Sequence, residues 1–266
     1  MGTIKGRVTV PNTALITGAS SGIGREFARY HAEKGGDLII TARRAAALDD
    51  LKNEIEAAHN VGVRTVPLDL GTAEGAEKLY EAVKDVQISI LINNAGFGGH
   101  GAFTDRDLAT DLAMIDLNIK SLVTLTHFVA RDMVENGGGK ILNVSSTASY
   151  LPGPLQATYF ATKAYVSSFS QALDEELREK GVTVTALEPG YVETEFAARA
   201  NLDGTDLTKS GATPRSAAKF GYDAMRRGEL RAINDGRLRF TLNWITPWLP
   251  RRSVLKMVRR MQEKNG

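Results

Sequence analysis

The sequence predicts an α/β fold with a doubly wound, mainly parallel sheet. Short apolar runs alternate along the chain with longer segments of helical periodicity, which is typical of a parallel sheet covered by helices on both faces. A glycine-rich stretch, residues 17–24, separates the first apolar run from the first helical segment. Right-handed crossovers between such strands make the sheet doubly wound.

Six strands are predicted from the apolar runs, at residues 14–16, 37–42, 64–69, 89–93, 140–145 and 182–187. Pro67 weakens the third strand, because proline has no N–H to donate to a neighbouring strand. Helices are predicted between the strands at residues 25–34, 45–59, about 72–86, about 107–134 and about 159–179. Thr72 is the expected cap of the third helix.

The stretch Thr17-Gly-Ala-Ser-Ser-Gly-Ile-Gly24 has the order of strand, turn and helix that a nucleotide-binding motif needs. Gly18 permits the tight turn, Gly22 allows a ligand to approach the backbone, and Gly24 allows helix and strand to pack closely. The N–H groups of the first helical turn would bind a pyrophosphate. A P-loop is less favoured because Arg25 follows Gly24, and an ordinary glycine-rich turn is the alternative. The domain is therefore interpreted as Rossmann-type.

Polar and glycine residues follow most of the predicted strands. Because the carboxyl ends of parallel strands share one edge of a sheet, these residues are expected to meet where ligands bind in this architecture. They are residues 18–24, Arg43, Asp69, 93–96, 145–146 and 189–190.

Composition excludes several classes of function. With 266 residues, 42% of them hydrophobic and 24% charged, the chain suits one soluble domain spanning residues 1–266. A net charge of +2 argues neither for nor against nucleic-acid binding. The sequence contains no recognisable nucleic-acid-binding module, so no such partner is expected. Without cysteine, and with four histidines that lack metal-ligand spacing, no metal is expected. The polar N-terminus and the lack of a run of roughly 18 apolar residues predict a cytoplasmic protein.

With these residues placed, the chain resembles the short-chain dehydrogenase/reductase family, in its single-domain branch of about 250 residues. The resemblance covers roughly residues 10–235 and rests on motifs in the family's order and spacing. These motifs are residues 17–24, Asp69, Asn93-Asn-Ala-Gly96, Asn118, Ser146, Tyr159-Phe-Ala-Thr-Lys163, Pro189-Gly190 and Thr194. The family implies a seven-stranded sheet, with the seventh strand at residues 230–233 after a helix that starts at Thr213-Pro214.

Four residues are the candidate catalytic group: Asn118, Ser146, Tyr159 and Lys163. Tyr159 and Lys163 are four residues apart in a helical pattern, so their side chains share one face. A neighbouring ammonium lowers the pKa of a phenol, which an acid–base catalyst requires. The resemblance implies that Tyr159 exchanges a proton with the substrate oxygen and that Ser146 polarises it. It also implies that Lys163 holds the nicotinamide ribose and that Asn118 holds a water that relays protons.

Each of these residues also has a purely structural interpretation. In a Tyr–Lys pair at this spacing, the aliphatic part of an exposed lysine often packs on the tyrosine ring. A serine often ends a strand and begins a turn. Asn118 could make only a local hydrogen bond. Ser145 is the lesser serine candidate, because the family's spacing selects Ser146.

The resemblance assigns a cofactor site that includes the catalytic tyrosine and lysine. Its residues are Gly18, Ser20, Ser21, Gly22, Ile23, Gly24, Arg43, Arg44, Asp69, Leu70, Asn94, Ala95, Gly96, Tyr159, Lys163, Pro189, Gly190, Val192 and Thr194. Within this set the family places the Asp69 carboxylate near the adenine and Thr194 at the nicotinamide amide.

NADP(H) is the predicted cofactor and NAD(H) is the alternative. An acidic residue at the end of the second strand would bind the ribose of NAD, and by resemblance that position is Ala42. Arg43 and Arg44 follow it, and a guanidinium matches a phosphate in charge and geometry. Some NADP-using relatives carry a basic residue where this chain has Ser21. The alternative interpretation is that both arginines are simply solvated.

The predicted function is an NADP-dependent oxidoreductase that interconverts a carbonyl and an alcohol. A catalytically silent nucleotide-binding regulator or scaffold is the second hypothesis, but it would have lost one of the four catalytic residues. An epimerase or dehydratase of the longer branch of the family ranks lower, because that branch has a different glycine spacing. The small-molecule substrate is expected to be apolar.

The two long helices, about 107–134 and 159–179, predict a homodimer or homotetramer by resemblance. The family also implies a mobile substrate flap over residues 191–212, and His100 is a candidate border of the pocket.

The C-terminal tail is the part that the family core does not explain. Residues 226–266 contain eleven lysines and arginines and three acidic residues. Within the basic tail, residues 244–266, Trp244 and Trp248 precede an amphipathic helix that starts near Arg251. Its expected apolar face contains Val254, Met257, Val258 and Met261. This face would close the substrate pocket, pack on a partner subunit or bind a membrane surface.

Overall fold

A seven-stranded parallel sheet forms the centre of the structure, a computed structural model that describes residues 12–208 and 210–264. The strand order is β3-β2-β1-β4-β5-β6-β7, and each pair of neighbours is parallel. The strands are β1 (Thr13–Thr17), β2 (Asp37–Ala42), β3 (Val63–Pro67), β4 (Ile90–Asn93), β5 (Gly139–Val144), β6 (Val182–Leu187) and β7 (Arg231–Ala232). The predicted fold class is confirmed, whereas the division of the chain into domains stays a prediction.

Helices connect and cover the strands. They are α1 (Gly22–Glu33), α2 (Ala45–Ala58), α3 (Gly75–Val83), α4 (Leu108–Ile115), α5 (Leu122–Glu135), α6 (Ala157–Arg178), α7 (Phe196–Arg199), α8 (Pro214–Arg227), α9 (Gly236–Phe240) and α10 (Arg251–Gln262).

The sheet is buried on both faces because successive side chains of each strand point to opposite sides. In β1, Ala14 and Ile16 pack towards α1, α2 and α8. Leu15, between them, packs on the opposite face towards α3, α5 and α6. This arrangement explains why the strands read as continuous apolar runs in the sequence.

Several predicted boundaries differ from the structure. The strand predicted at residues 64–69 ends at Pro67, and the strand predicted at 230–233 is limited to two residues, Arg231–Ala232. Thr72 is not the cap of α3, which begins after Glu74; the Thr72 hydroxyl donates instead to the carbonyl oxygen of Asp69 at 3.0 Å.

The helix predicted at residues 107–134 is interrupted. Asp107 caps α4, and a π-helical segment, Asp116–Ser121, separates α4 from α5. Such wide turns often occur at functional sites. Here the turn carries Asn118, whose buried amide bonds both backbone groups of Phe97.

The segment Leu108–Glu135 is long and apolar enough to cross a membrane by length and composition, with a mean hydropathy of 1.3 in its most apolar window. The sequence was expected to contain no such segment. Leu125, Val129 and Met133 of α5 nevertheless pack against the central sheet, as in a core helix of a globular protein. Its outer face and α6 border an apolar groove of about 390 Å³, whose lining includes Val123, Ala130, Phe169 and Leu173.

Candidate active site

The carboxyl edge of the sheet brings the ends of β1 and β4 side by side. From this point the chain continues through β2 and β3 on one side and through β5, β6 and β7 on the other, so a crevice opens between the two halves. The Asn94 side chain spans it, because its Nδ2 donates to the carbonyl oxygens of Thr17 at 2.9 Å and Gly18 at 3.2 Å. The Thr17 hydroxyl accepts from the backbone N–H groups of Asn94 and Ala95, both at 3.0 Å.

The glycine turn has the geometry of an anion-binding site. Gly18 and Gly22 have φ angles of +68° and +56°, which side chains rarely allow. A Cβ on Gly24 would overlap the Gly18 carbonyl oxygen and the Asn94 amide. The Ser21 side chain makes no cap hydrogen bond, so it leaves the first N–H groups of α1 to a ligand. These residues fit the pyrophosphate of a dinucleotide.

The flap residue Thr194 lies over the same turn. A Cβ on Gly22 would come within 3.2 Å of its Cγ2 atom. Val192, two residues earlier, is buried and forms an isolated bridge with Ala212. Thr194 therefore lies against the glycine turn, while contact of Val192 and Thr194 with a cofactor stays a prediction.

The two arginines after β2 lie beside the glycine turn and differ in their contacts. The Arg44 guanidinium donates to the Ser20 hydroxyl at 3.2 Å and pairs with Glu195 of the flap at 3.4 Å. The Arg43 side chain is exposed, and no hydrogen-bond or ion-pair partner of it occurs among the described residues. The binding of a cofactor phosphate by Arg43 stays a prediction.

Further cofactor candidates lie in the loops that follow β3 and β6, and Ile23 lies in the first turn of α1. The carboxylate of Asp69 is exposed and accepts from the Gly71 N–H at 2.9 Å, while Leu70 is buried. Gly190 donates its N–H to the Asn234 side chain at 3.2 Å, and Ile23 packs against the core.

Tyr159, Lys163 and Ser146 meet at the carboxyl end of β5. The Lys163 ammonium donates to the Val144 carbonyl oxygen at 2.9 Å and lies 5.8 Å from the centre of the Tyr159 ring. The Ser145 hydroxyl donates to the Lys163 carbonyl oxygen at 2.7 Å, which ties α6 to the strand. Ser146 accepts from the Ala148 N–H at 3.1 Å and begins the next turn.

Asn118 lies on the other side of the lysine. Its Oδ1 accepts from the Phe97 N–H at 3.1 Å, and its Nδ2 donates to the Thr162 hydroxyl at 3.1 Å. A Cβ on Gly96 would come within 2.9 Å of the Asn118 Oδ1 and 3.6 Å of the Lys163 Nζ, so there is no room for one. All four catalytic candidates therefore share one site. The water-holding role of Asn118 stays a prediction, because its side chain already bonds protein groups.

Burial sets the protonation of this site. It raises the pKa of Tyr159 to about 12, against a hydrogen bond with Ser146 that lowers it. It lowers the pKa of Lys163 to about 8. The sequence predicts a lowered pKa for Tyr159, but in this structure it is raised, because desolvation of the phenolate is the largest effect and Lys163 is not among the groups that shift it.

Apolar side chains lie around Tyr159. The Phe196 ring of the flap lies 5.4 Å from the Tyr159 ring, measured between centres. Phe160 and Leu151 form a small cluster with Val254 and Val258 of α10. The sequence had not indicated Phe196 as a site residue, although its position two residues after Thr194 was a usable signal.

The C-terminal helix packs onto this cluster with half of its expected apolar face. Val254 and Val258 are buried, but Met257 and Met261 are 44% and 40% exposed, so the predicted four-residue face was wrong. Gln262 takes the place of Met261 in the buried face.

Hydrogen bonds fix the end of α10 beside the site. His100 donates its Nε2 proton to the Gln262 carbonyl oxygen across 2.7 Å, and Gln156 Nε2 donates to the Gln262 Oε1 at 2.7 Å. Neither glutamine had been singled out from the sequence. Lys264 also donates to Asn201 of the flap at 2.7 Å. The mobility of residues 191–212 stays a prediction.

The model of the family described as short chain dehydrogenase matches residues 12–204. The chain belongs to the short-chain dehydrogenase family. It is 37% identical over 188 residues to the human very-long-chain 3-oxoacyl-CoA reductase, an alignment that covers 69% of this chain and 60% of that protein. It is 39% identical over 186 residues to sulfoacetaldehyde reductase 2 of Chromohalobacter salexigens, covering 68% and 73%.

Among solved structures, this short-chain dehydrogenase is similar to one from Sphingobium yanoikuyae in complex with NADPH. The TM-score is 0.82 at 31% identity, and the match covers 96% of this chain and 99% of the other. The chain aligns with only about 60% of the length of the human relative, so the activity of the whole protein is a matter for proposal.

Glu188, at the end of β6, bonds the elements around the candidate site to one another. The sequence analysis did not indicate this role. Its fully buried carboxylate accepts from Ser167 at 2.5 Å and Tyr150 at 2.9 Å, and it pairs with Arg231 at 3.1 Å. The next residue, Pro189, accepts at its carbonyl oxygen from the Thr147 N–H at 3.0 Å. Glu188 therefore connects α6 and β7 with the turn that carries Ser146. An acidic residue at the end of an apolar strand was the available signal.

Replacing Glu188→Gln should lower the free energy of unfolding by roughly 2–3 kcal/mol, because it leaves Arg231 without its counter-ion and puts an amide N–H against buried donors. Urea denaturation measures the change. Glu175→Gln, at an exposed position of α6, is the matched control and should stay within roughly 0.5 kcal/mol of the wild type. Equal stability of the two variants would contradict a structural role for the Glu188 carboxylate.

Proposed function

We propose that this short-chain dehydrogenase is an NADP(H)-dependent oxidoreductase that interconverts a carbonyl and an alcohol, with Tyr159 as the acid or base. The observation that carries the proposal is the buried cluster of Tyr159, Lys163 and Ser146 beside the glycine turn. A catalytically silent regulator would not need a buried lysine ammonium next to a buried phenol. The NADPH in the Sphingobium yanoikuyae structure supports the cofactor class.

The nicotinamide cofactor, when bound, supplies or accepts the hydride at the substrate carbon. In carbonyl reduction, the Ser146 hydroxyl donates a hydrogen bond to the substrate oxygen and polarises the C=O bond. Tyr159 transfers its phenolic proton to that oxygen as negative charge develops there. The Lys163 ammonium stabilises the phenolate that remains. In alcohol oxidation the same groups act in reverse, with the Tyr159 phenolate as the base.

The protonation states favour the reductive direction near neutral pH. A phenol with a pKa of about 12 keeps its proton and is ready to donate it. A lysine with a pKa of about 8 is mostly charged at neutral pH and loses its charge as the pH rises above that value. The reductive site is thus assembled below about pH 8, where acid and cation are both present.

An apolar carbonyl compound is the proposed substrate class. Phe196, Phe160, Leu151, Val254 and Val258 lie around Tyr159. Enclosing an apolar group between these side chains is favourable because both surfaces leave water. A small polar substrate would instead lose its hydrogen bonds to water without gaining new partners there. The names of the two relatives, a very-long-chain 3-oxoacyl-CoA reductase and a sulfoacetaldehyde reductase, indicate different substrates, so the proposal rests on the side chains around Tyr159.

Tyr159→Phe should reduce kcat for carbonyl reduction by roughly 10²–10⁴-fold, because it removes the transferred proton. The dissociation constant for NADPH should change little, since the ring remains. A hydride-transfer assay against a panel of ketones, with cofactor binding measured by fluorescence, tests both. Tyr165→Phe, on the exposed side of the same helix, is the control and should keep the wild-type rate. Near-normal turnover of Tyr159→Phe would overturn the mechanism.

Arg43→Ala should lower the preference for NADPH over NADH in kcat/KM by roughly 10–100-fold, the worth of a charge-assisted hydrogen bond. The reason is that Arg43 has a free guanidinium beside the glycine turn, and no acidic side chain occupies the end of β2. Arg64→Ala, near the amino end of β3, removes an exposed arginine far from this edge and should leave the preference unchanged. An unchanged preference in Arg43→Ala would refute the assignment and leave both cofactors equally acceptable.

We also propose that the chain pairs through the groove between α5 and α6, with a homodimer or homotetramer as the result. The groove has a volume of about 390 Å³, and its lining includes Val123, Phe169 and Leu173, apolar side chains that a partner subunit would cover. Phe169→Glu should shift the protein towards a monomer in light scattering because it puts a charge into that surface. Leu230→Glu, at an exposed apolar residue outside the groove, should not. A monomeric wild type at micromolar concentration would contradict this proposal.

A further inference from the structure

The surface between β7 and the end of the described chain concentrates exposed apolar side chains. Eight of the thirteen large apolar residues that are exposed in the described part of the chain belong to it. They are Leu238, Phe240, Trp244, Ile245, Trp248, Leu249, Met257 and Met261. Trp244 and Trp248, the only tryptophans of the sequence, are 69% and 85% exposed. Such a concentration of exposed apolar side chains in one segment of the chain is typical of an interaction site.

Cations are interleaved with these apolar side chains. Exposed basic residues of this segment that have no acidic partner within salt-bridge distance among the described residues are Arg237, Arg239, Arg251, Arg252, Lys256 and Arg260. Arg259, also exposed, pairs with Glu263 at 3.1 Å. The apolar and cationic residues from 237 to 261 together are called the tail surface below.

The tail surface has a fixed orientation on the protein. Val254, Val258 and Gln262 anchor the inner side of α10 beside the active site. Arg252, Lys256 and Arg259 are spaced by four and three residues, so they share the opposite, outward side of the helix. The inner side of α10 packs on the protein, so its cations face solvent in a fixed direction.

The pattern of charge decides between two occupants of this surface. A second copy of the chain, related by a two-fold axis, would place the same unpaired cations opposite themselves. An anionic lipid surface would instead complement them, and tryptophan side chains prefer the boundary between headgroups and acyl chains. Exposed tryptophans next to a helix with a cationic outward side suit such a surface, because the rings insert at the interface while the cations meet the headgroups.

We propose that the tail surface docks the protein on the surface of an anionic lipid bilayer, with Trp244 and Trp248 inserted at the interface and the cations of α10 against the headgroups. The docking goes beyond the oxidoreductase activity and does not depend on it. One consequence does rest on the proposed function. Because α10 is also a wall of the site around Tyr159, docking brings that wall to the bilayer, from which an apolar substrate would be drawn.

Sedimentation of the full chain with vesicles tests the proposal. Vesicles of phosphatidylcholine with phosphatidylserine are compared with vesicles of phosphatidylcholine alone. The wild type should bind the anionic vesicles at least roughly tenfold more tightly, and added salt should weaken this binding through screening. Light scattering of the same samples reports the oligomeric state.

Two variants separate the apolar and the charged parts. Trp244→Ser with Trp248→Ser and, separately, Arg252→Glu with Lys256→Glu should each weaken binding to anionic vesicles at least roughly tenfold. All four positions are exposed, so the fold should survive, and circular dichroism checks this. Leu108→Ser with Leu112→Ser is the matched control, because both leucines are at least half exposed but lie on α4.

The expected result is loss of binding in both tail variants and none in the control. Failure of the wild type to bind anionic vesicles would overturn the proposal, as would equal binding by the tryptophan variant. If the wild type does not bind vesicles and the tryptophan variant changes its oligomeric state, the surface is an interface with a second copy and the proposal is overturned. Since vesicle binding is measured without substrate, an inactive protein that binds would refute the proposed function and leave the docking intact.

Discussion

The burial of the Lys163 ammonium is the constraint on which the rest of the site depends. A lysine that is 6% exposed has to be compensated, and the structure does so with the Val144 carbonyl oxygen at the end of β5. That bond fixes α6 against the sheet and sets the position of Tyr159 one turn earlier. The lowered pKa of Lys163, to about 8, is the remaining cost of the arrangement. A residue kept only for packing would not carry a charge there.

Much of this arrangement was predictable because its signals are local. The glycine turn, the apolar strands and the Tyr159–Lys163 spacing each lie within a few consecutive residues, and parallel topology then gathers the strand ends. What could not be predicted depends on distant partners. Glu188 acquires its role from Tyr150, Ser167 and Arg231, and no short window of sequence contains all four. The two methionines of α10 were misplaced because periodicity defines a face but not how much of it a neighbour covers.

The pKa of Tyr159 shows how magnitudes decide between two correct principles. A nearby ammonium favours the phenolate, whereas desolvation favours the neutral phenol, and desolvation is the largest effect on Tyr159. A rise from 10.0 to about 12 corresponds to roughly 3 kcal/mol in favour of the neutral phenol. The Lys163 ammonium hydrogen-bonds the Val144 carbonyl oxygen and lies 5.8 Å from the ring centre. The sequence indicates which groups meet, whereas their distances and burial decide the sign of the effect.

The C-terminal tail connects three parts of the molecule that the family motifs leave separate. Gln262 bonds His100 on one side of the site, and Lys264 bonds Asn201 in the flap. Thr205 and Lys264 also form an isolated bridge, so flap and tail share backbone contacts. A displacement of α10 would therefore disturb the loop at residues 98–101, the flap and the apolar wall around Tyr159 together. The outward side of that helix carries the cations, and packed and hydrogen-bonded residues on its inner side connect it with the pocket.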